Sequence, residues 1–182
     1  MYYKKLGMPL LAASAALFLS TSQVLAEPTL EVEMFKASVD GKGDSLGTVT
    51  LIAYDQGVLV ESDLRMLAPG IHGFHLHENP DCSPTEENGK TTSAGAAGGH
   101  YDPQKSKSHK GPFEVSGHLG DLPRLHVGPG GENAQTNIAP RLELSDFKGR
   151  ALVIHGGGDN YSDSPQPLGG GGARIACGVV AD

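Results

Sequence analysis

Gly47-Thr48-Val49-Thr50-Leu51-Ile52-Ala53-Tyr54-Asp55-Gln56-Gly57-Val58-Leu59-Val60-Glu61 decides the architecture of this chain. Two runs rich in β-branched and apolar residues flank Asp55-Gln56-Gly57, which reads as the turn of a β-hairpin. Upstream, Leu30-Glu31-Val32-Glu33-Met34 alternates apolar and polar side chains with the period of two that a half-buried strand requires. The three segments predict an antiparallel meander. Downstream, residues 71–77, 135–144 and 151–155 are further short strand-like segments, and no stretch carries a long helical period. Short strands with many glycines between them imply an all-β sandwich or flattened barrel.

Two long segments break the strand rhythm, residues 78–133 and 156–172, and loops of that length in a compact domain are usually functional. Both carry or flank one set of side chains: His75, His77, His100, His109, His118, Asp121 and His155. Six imidazoles and one carboxylate exceed what one four-coordinate metal needs, whereas two such metals sharing a ligand need seven. In a strand, residues i and i+2 face the same way, so His75 and His77 aim two imidazoles at one point. His100, His109 and His118 follow at equal steps of nine in glycine-rich loop sequence, with Asp121 three residues later. Three nitrogens and one oxygen suit a tetrahedral zinc site, and nitrogen-only coordination by His75, His77 and His155 suits copper. His100 completes the copper set and still ligates zinc if its ring loses both protons.

Each residue also has a plainer reading. His75 and His77 by themselves fit a solvated strand face, and His109, in Lys107-Ser108-His109-Lys110, fits an exposed cationic loop. Asp121 could be a turn residue ahead of Pro123, and Asp159 a surface aspartate. The spacing of the whole set favours ligation. His72 and His126 are left over, the first read as a hydrogen-bonded structural histidine and the second as a loop residue that binds nothing. The glycines at 169–172 read as a place of close backbone approach beside Arg174.

Gly73-Phe74-His75-Leu76-His77-Glu78-Asn79-Pro80, Gly98-Gly99-His100-Tyr101-Asp102-Pro103, Gly117-His118-Leu119-Gly120-Asp121-Leu122-Pro123 and Gly172-Ala173-Arg174-Ile175-Ala176-Cys177-Gly178 occur in this order, and with them the chain resembles the bacterial copper,zinc superoxide dismutases from about residue 30 to residue 180. The resemblance implies a flattened Greek-key β-barrel or sandwich with two long functional loops. It implies one copper on His75, His77, His100 and His155, and one zinc on His100, His109, His118 and Asp121, with His100 as the bridging imidazolate. It further implies that Asp159 accepts hydrogen bonds from His75 and His109, tying the two sites together. The reaction implied is disproportionation of superoxide to dioxygen and hydrogen peroxide, with His100 and Arg174 as catalytic residues. A guanidinium beside an open copper position can hold a small anion, although a surface salt bridge is the competing role for Arg174.

Lys4 and Lys5 precede the apolar stretch Pro9 to Leu19, and a small-residue ending follows at Val24-Leu25-Ala26, the pattern of a signal peptide cleaved after Ala26. The expectation is a single domain over residues 27–182, exported to the periplasm and not membrane-bound. Without the leader, 12 basic residues stand against 21 acidic ones, a net charge of −9 that argues against nucleic acid as a partner. Cys82 and Cys177 are the only cysteines, and an exported chain with two of them most simply forms one disulfide, the pairing the resemblance also implies. A homodimer stays open, since the bacterial relatives include dimers and monomers. Segment 156–172 has no lysine, unlike the guiding loop of eukaryotic members, which leaves Lys90, Lys105, Lys107 and Lys110 as candidates for steering superoxide. The alternative function is a periplasmic copper- and zinc-binding or buffering protein without turnover, against which a bridging histidine and an anion clamp both argue. A zinc hydrolase is disfavoured because Asp121 would close the zinc shell.

Overall fold

The computed structural model describes residues 1–2 and 27–182, so the leader reading lies, apart from its first two residues, outside the described residues. The meander expected at the start is present as β1 (Thr29–Ser38), β2 (Gly41–Tyr54) and β3 (Gly57–Leu64). Tyr54 pairs with Gly57, so the turn is Asp55-Gln56 and Gly57 already belongs to β3. Then follow β4 (Gly70–His72), β5 (Phe74–His77), β6 (Thr85–Glu87), β7 (Lys90–Thr92), β8 (Leu125–Val127), β9 (Asn133–Ala139), the short helix α1 (Leu144–Phe147), β10 (Arg150–His155) and β11 (Arg174–Val180).

A seven-stranded antiparallel sheet runs in the order β5-β10-β11-β1-β2-β3-β9 and curls on itself. Its two edges are drawn together by the separate β4-β8 pair, because β4 leads directly into β5 and β8 precedes β9 by one turn. The inward positions, among them Val32, Met34, Val49, Leu51, Val60, Phe74, Leu76 and Leu152, form one continuous buried core. This is the all-β Greek-key barrel expected from the sequence.

Several details differ from the strand assignments made on sequence, among them the short strands β6, β7 and β8 inside segment 78–133, which was read as a loop. The segment 71–77 is not one strand: the chain breaks at Gly73, whose N–H donates to the Gly157 carbonyl at 2.9 Å and whose carbonyl accepts from His155 N–H at 2.8 Å. Segment 135–144 stops as a strand at Ala139, since Pro140 has no N–H to offer the ladder, and the chain turns into α1. Strand β11 was not anticipated as a strand. Lying between β10 and β1, it is covered on both faces over much of its length, so Ala176-Cys177-Gly178 shows no alternation to read.

Candidate metal centre

Strand β5 is buried on both faces, because Phe74 and Leu76 point into the barrel core while His75 and His77, each 0% exposed, point out under the long loops. The loops are registered against β5 by backbone hydrogen bonds at one residue. Leu76 N–H donates to the Gly120 carbonyl, and the Leu76 carbonyl accepts from Tyr101 N–H, both at 2.8 Å. His100 thereby lies opposite His77, and Asp121 opposite His75. Only glycine fits at 120, where a Cβ would stand 2.3 Å from the Leu76 oxygen. The sequence places His155 far from this strand, but antiparallel pairing of β10 with β5 brings it alongside.

Among the described residues, five buried imidazole nitrogens have no hydrogen-bond partner: His75 Nδ1, His77 Nε2, His100 Nε2, His109 Nδ1 and His155 Nε2. Orphaned polar atoms in a dry interior are costly, and their convergence fits a site built for cations. The donor atoms form two groups whose members lie within 4.8 Å of one another: His75, His77, His100 and His155, and then His75, His100, His109 and Asp121. His75 is common to both by distance. Its Nε2 donates to Asp159 at 2.8 Å, however, leaving Nδ1 with a single position to fill, and its ring stacks on His100 at 3.9 Å, which explains its nearness to the second group.

His118 falls outside the second group, yet its Nδ1 is 3.3 Å from Asp121 Oδ1. The same oxygen has His100 Nδ1 at 2.9 Å and His109 Nδ1 at 3.0 Å. Three imidazoles crowd one carboxylate oxygen that has only two lone pairs. The His109 approach does not even have hydrogen-bond geometry, since Nδ1 remains unpartnered. The edges of a tetrahedral zinc shell with bonds of about 2.0–2.1 Å are about 3.3 Å long, so these separations fit four donors facing one ion. His100 alone presents one ring nitrogen to each group.

The outer nitrogens are held by the loops. His77 Nδ1 donates to the Gly98 carbonyl at 2.9 Å and His155 Nδ1 to the Gly172 carbonyl at 3.2 Å. Asp159 accepts from His75 Nε2 on Oδ2 and from His109 Nε2, at 2.7 Å, on Oδ1, so one carboxylate spans the two groups. The glycine run at 169–172 closes on these residues rather than on Arg174: a Cβ at Gly169, where φ is +70°, would lie 2.1 Å from Asp159 Oδ1. Such contacts orient ligating imidazoles, and losing one typically costs about ten- to a hundredfold in metal affinity.

Electrostatics agree with cation binding. Burial disfavours the charged carboxylate of Asp121, but the imidazoles of His100, His109 and His118 outweigh it and hold its pKa well below the usual carboxylate range. Asp159 is likewise held low, against burial, by His109 and His75. Burial and then the charge of His100 push His75 and His77 well below the ordinary imidazole value, and burial lowers His155 to about 4. Neutral imidazoles and ionised carboxylates are the forms that bind metals. His109, despite burial, is raised to about 9 by Asp121 and Asp159.

Arg174 faces His155 across the β10-β11 ladder. Its Nη1 donates to the carbonyls of Ala94 at 2.6 Å and Gly95 at 3.3 Å, and its Nη2 to Gly98 at 2.6 Å. Its charge adds to burial in lowering the pKa of both His77 and His155, which puts it beside the nitrogen-only group. The disulfide expected between Cys82 and Cys177 is present, with Cα atoms 5.8 Å apart, and joins the loop after β5 to β11 three residues beyond Arg174.

His72 bonds the carbonyls of His155, at 2.7 Å, and Ala68, at 2.8 Å, and His126 lies exposed on β8. Two supporting residues were not singled out from the sequence. Asp163 accepts from His109 N–H at 2.8 Å and Leu168 N–H at 3.0 Å, while Arg124 donates to the Asp159 carbonyl at 2.9 Å with its guanidinium 5.2 Å from the Tyr161 ring. These contacts link loops distant in sequence and follow no spacing rule. The only local hint is the acidic Asp159 and Asp163 pair in a loop without lysine.

The model of the copper/zinc superoxide dismutase family matches residues 45–180. The chain is 48% identical over 172 residues to a Cu-Zn superoxide dismutase of Brucella abortus, covering 91% of this chain and 98% of the relative. Among solved structures, the Cu/Zn superoxide dismutase from Brucella abortus superposes with a TM-score of 0.82 at 49% identity, over 84% of this chain and 99% of that one. The solution structure of the monomeric copper, zinc superoxide dismutase from Salmonella enterica gives 0.76 at 47% identity, with the same coverage of 84% and 99%. Its matched length, its barrel and its paired histidine groups together show that this chain belongs to the copper/zinc superoxide dismutase family.

Proposed function

We propose that this chain disproportionates superoxide with copper on His75, His77, His100 and His155, zinc on His100, His109, His118 and Asp121, and His100 as the shared ligand. The observation that carries the reading is His100 itself, with Nε2 unpartnered toward one group and Nδ1 2.9 Å from Asp121 in the other. Copper bound there supplies one-electron redox chemistry, and zinc supplies charge and a fixed ligand geometry without changing oxidation state.

The residues do the rest. Arg174 attracts superoxide and holds it by charge-assisted hydrogen bonds at the open side of the nitrogen-only group. Two superoxide ions and two protons become dioxygen and hydrogen peroxide, so the second anion must be protonated as it is reduced. With Nδ1 fixed beside Asp121, Nε2 is the atom at which His100 takes up and returns a proton, and water supplies the other. Asp159 keeps His75 and His109 in the tautomers that leave their Nδ1 atoms free.

A buffering protein would use the same ligands, but it needs neither a shared imidazole nor a guanidinium beside it. The leader-like residues 1–26 support export to the periplasm and a mature domain over residues 27–182. The relative from Salmonella enterica, described as monomeric, supports a monomer over the homodimer that the sequence left open. Elemental analysis and a superoxide assay on the exported protein test the proposal together. One copper, one zinc and turnover are expected; a single metal would remove the shared ligand, and two metals without turnover would favour buffering.

A further inference from the structure

Four of the donors assigned to zinc sit on a loop rather than on strands, and His118 has no strand pairing to hold it. Between Gly111 and Gly117 the chain makes an excursion that exposes Phe113 and Val115, which are 67% and 73% accessible and anchor nothing. What closes the neck of this excursion is Arg141, which stands just after β9 at the far end of the barrel sequence. Its Nε donates to the Pro112 carbonyl at 2.9 Å, its Nη1 to Gly117 at 3.3 Å and its Nη2 to Gly111 at 3.2 Å; Nη2 also donates to the carbonyl of His118. One planar cation therefore gathers carbonyls from both arms of the neck. On the opposite side, Lys110 N–H and Gly111 N–H both donate to Asp121 Oδ2 at 3.1 Å.

We infer that Arg141 is a positioning residue for the zinc site, clamping the Gly111–Gly117 neck so that His118 and Asp121 are presented to the ion in a fixed geometry. The guanidinium suits the task because its donors lie in one plane and reach several acceptors at once, which an ammonium on a flexible stem cannot reproduce. Arg141 touches neither ion nor substrate, and its effect runs through the His118 carbonyl and the two arms of the loop. The arrangement was invisible in the sequence, where Arg141 follows Pro140 with no spacing relation to the histidines.

The inference rests on the zinc assignment proposed above, and cobalt(II) separates the two. Cobalt is added to the copper-loaded, zinc-free mature protein; its tetrahedral absorption bands report ligand geometry, and a competing chelator reports affinity. In the unsubstituted protein the bands should appear, and their absence would overturn the ligand assignment and this inference with it. Arg141→Met should weaken cobalt about ten- to a hundredfold, the usual effect of losing an outer support, and alter the bands. Arg141→Lys, which keeps the charge and packs similarly, should weaken it by a smaller factor and serves as the deciding variant if the methionine form does not fold. The copper spectrum should stay unchanged in both. Wild-type cobalt affinity and bands in a folded Arg141 variant, even one with a lowered melting temperature, would reduce Arg141 to a structural residue and overturn the inference.

Discussion

Arg174 and His77 share one acceptor: the carbonyl oxygen of Gly98 lies 2.6 Å from Nη2 of the arginine and 2.9 Å from Nδ1 of the histidine. The group proposed to hold superoxide and a ligand proposed for copper are thus oriented by the same peptide. That peptide belongs to the loop that carries Cys82, and Ala94, Ala97 and Cys177 pack together beneath it with Ala151 and Val153. The proposed anion site, the proposed copper ligand and the disulfide consequently rest on one loop.

The first prediction concerns Arg174. Residues 27–182 carry a net charge of −9, which repels superoxide at long range, so local positive charge must offset it. Arg174→Ala should lower kcat/KM at low ionic strength about tenfold or more, within the range of steering effects to which superoxide dismutases themselves have contributed, and Arg174→Glu should lower it further. Added salt should slow the wild type more than the alanine variant. Equal rates and equal salt dependence in the wild type and the glutamate variant would exclude the role.

Reducing the Cys82–Cys177 bridge should lower thermal stability and activity together. A crosslink spanning 95 positions contributes up to about 4–5 kcal/mol in the chain-entropy description. Melting curves with and without reductant, paired with assays, check this. Full activity in the reduced, folded protein would show that the loop holds Arg174 without the bridge.

Asp159 supports His75 and His109 through its two oxygens. Asp159→Ala should therefore weaken both metals, each by about ten- to a hundredfold, and chelator competition monitored for copper and zinc separately would reveal it. Loss confined to one metal would mean that the second hydrogen bond is dispensable.

Metal removal exposes the titration of the buried rings. In the metal-free protein the pKa values of His75, His77 and His155 lie below the unfolded value of 6.5, with His155 at about 4, so below pH 6.5 the unfolded chain binds protons that the folded one refuses. Stability should then fall from about pH 6.5 toward about 4. His109 acts in the opposite sense: raised to about 9, its contribution is present below 6.5 and lost as pH rises through 9. The metal-free melting temperature should accordingly decline on both sides of neutrality, and a rise on acidification from pH 7 would contradict this account.

The hairpin around Asp55-Gln56, the all-β class and seven candidate donors were legible in the sequence because each depends on short-range regularities: a period of two, a turn between apolar runs, and histidines too numerous for one ion. Strand β11 was not, since a strand buried in mid-sheet loses its alternation. The division of the donors was an expectation from the family resemblance, and only the tertiary structure shows what brings them together. The β5-β10 pairing delivers His155 to His75 and His77, and the Leu76 hydrogen bonds to Tyr101 and Gly120 set His100 and Asp121 against the same strand. Arg124 and Arg141 belong wholly to that second category. Their partners are backbone carbonyls of distant loops, and since every residue carries one, a sequence holds no mark of which of them the fold will leave to be satisfied by a side chain.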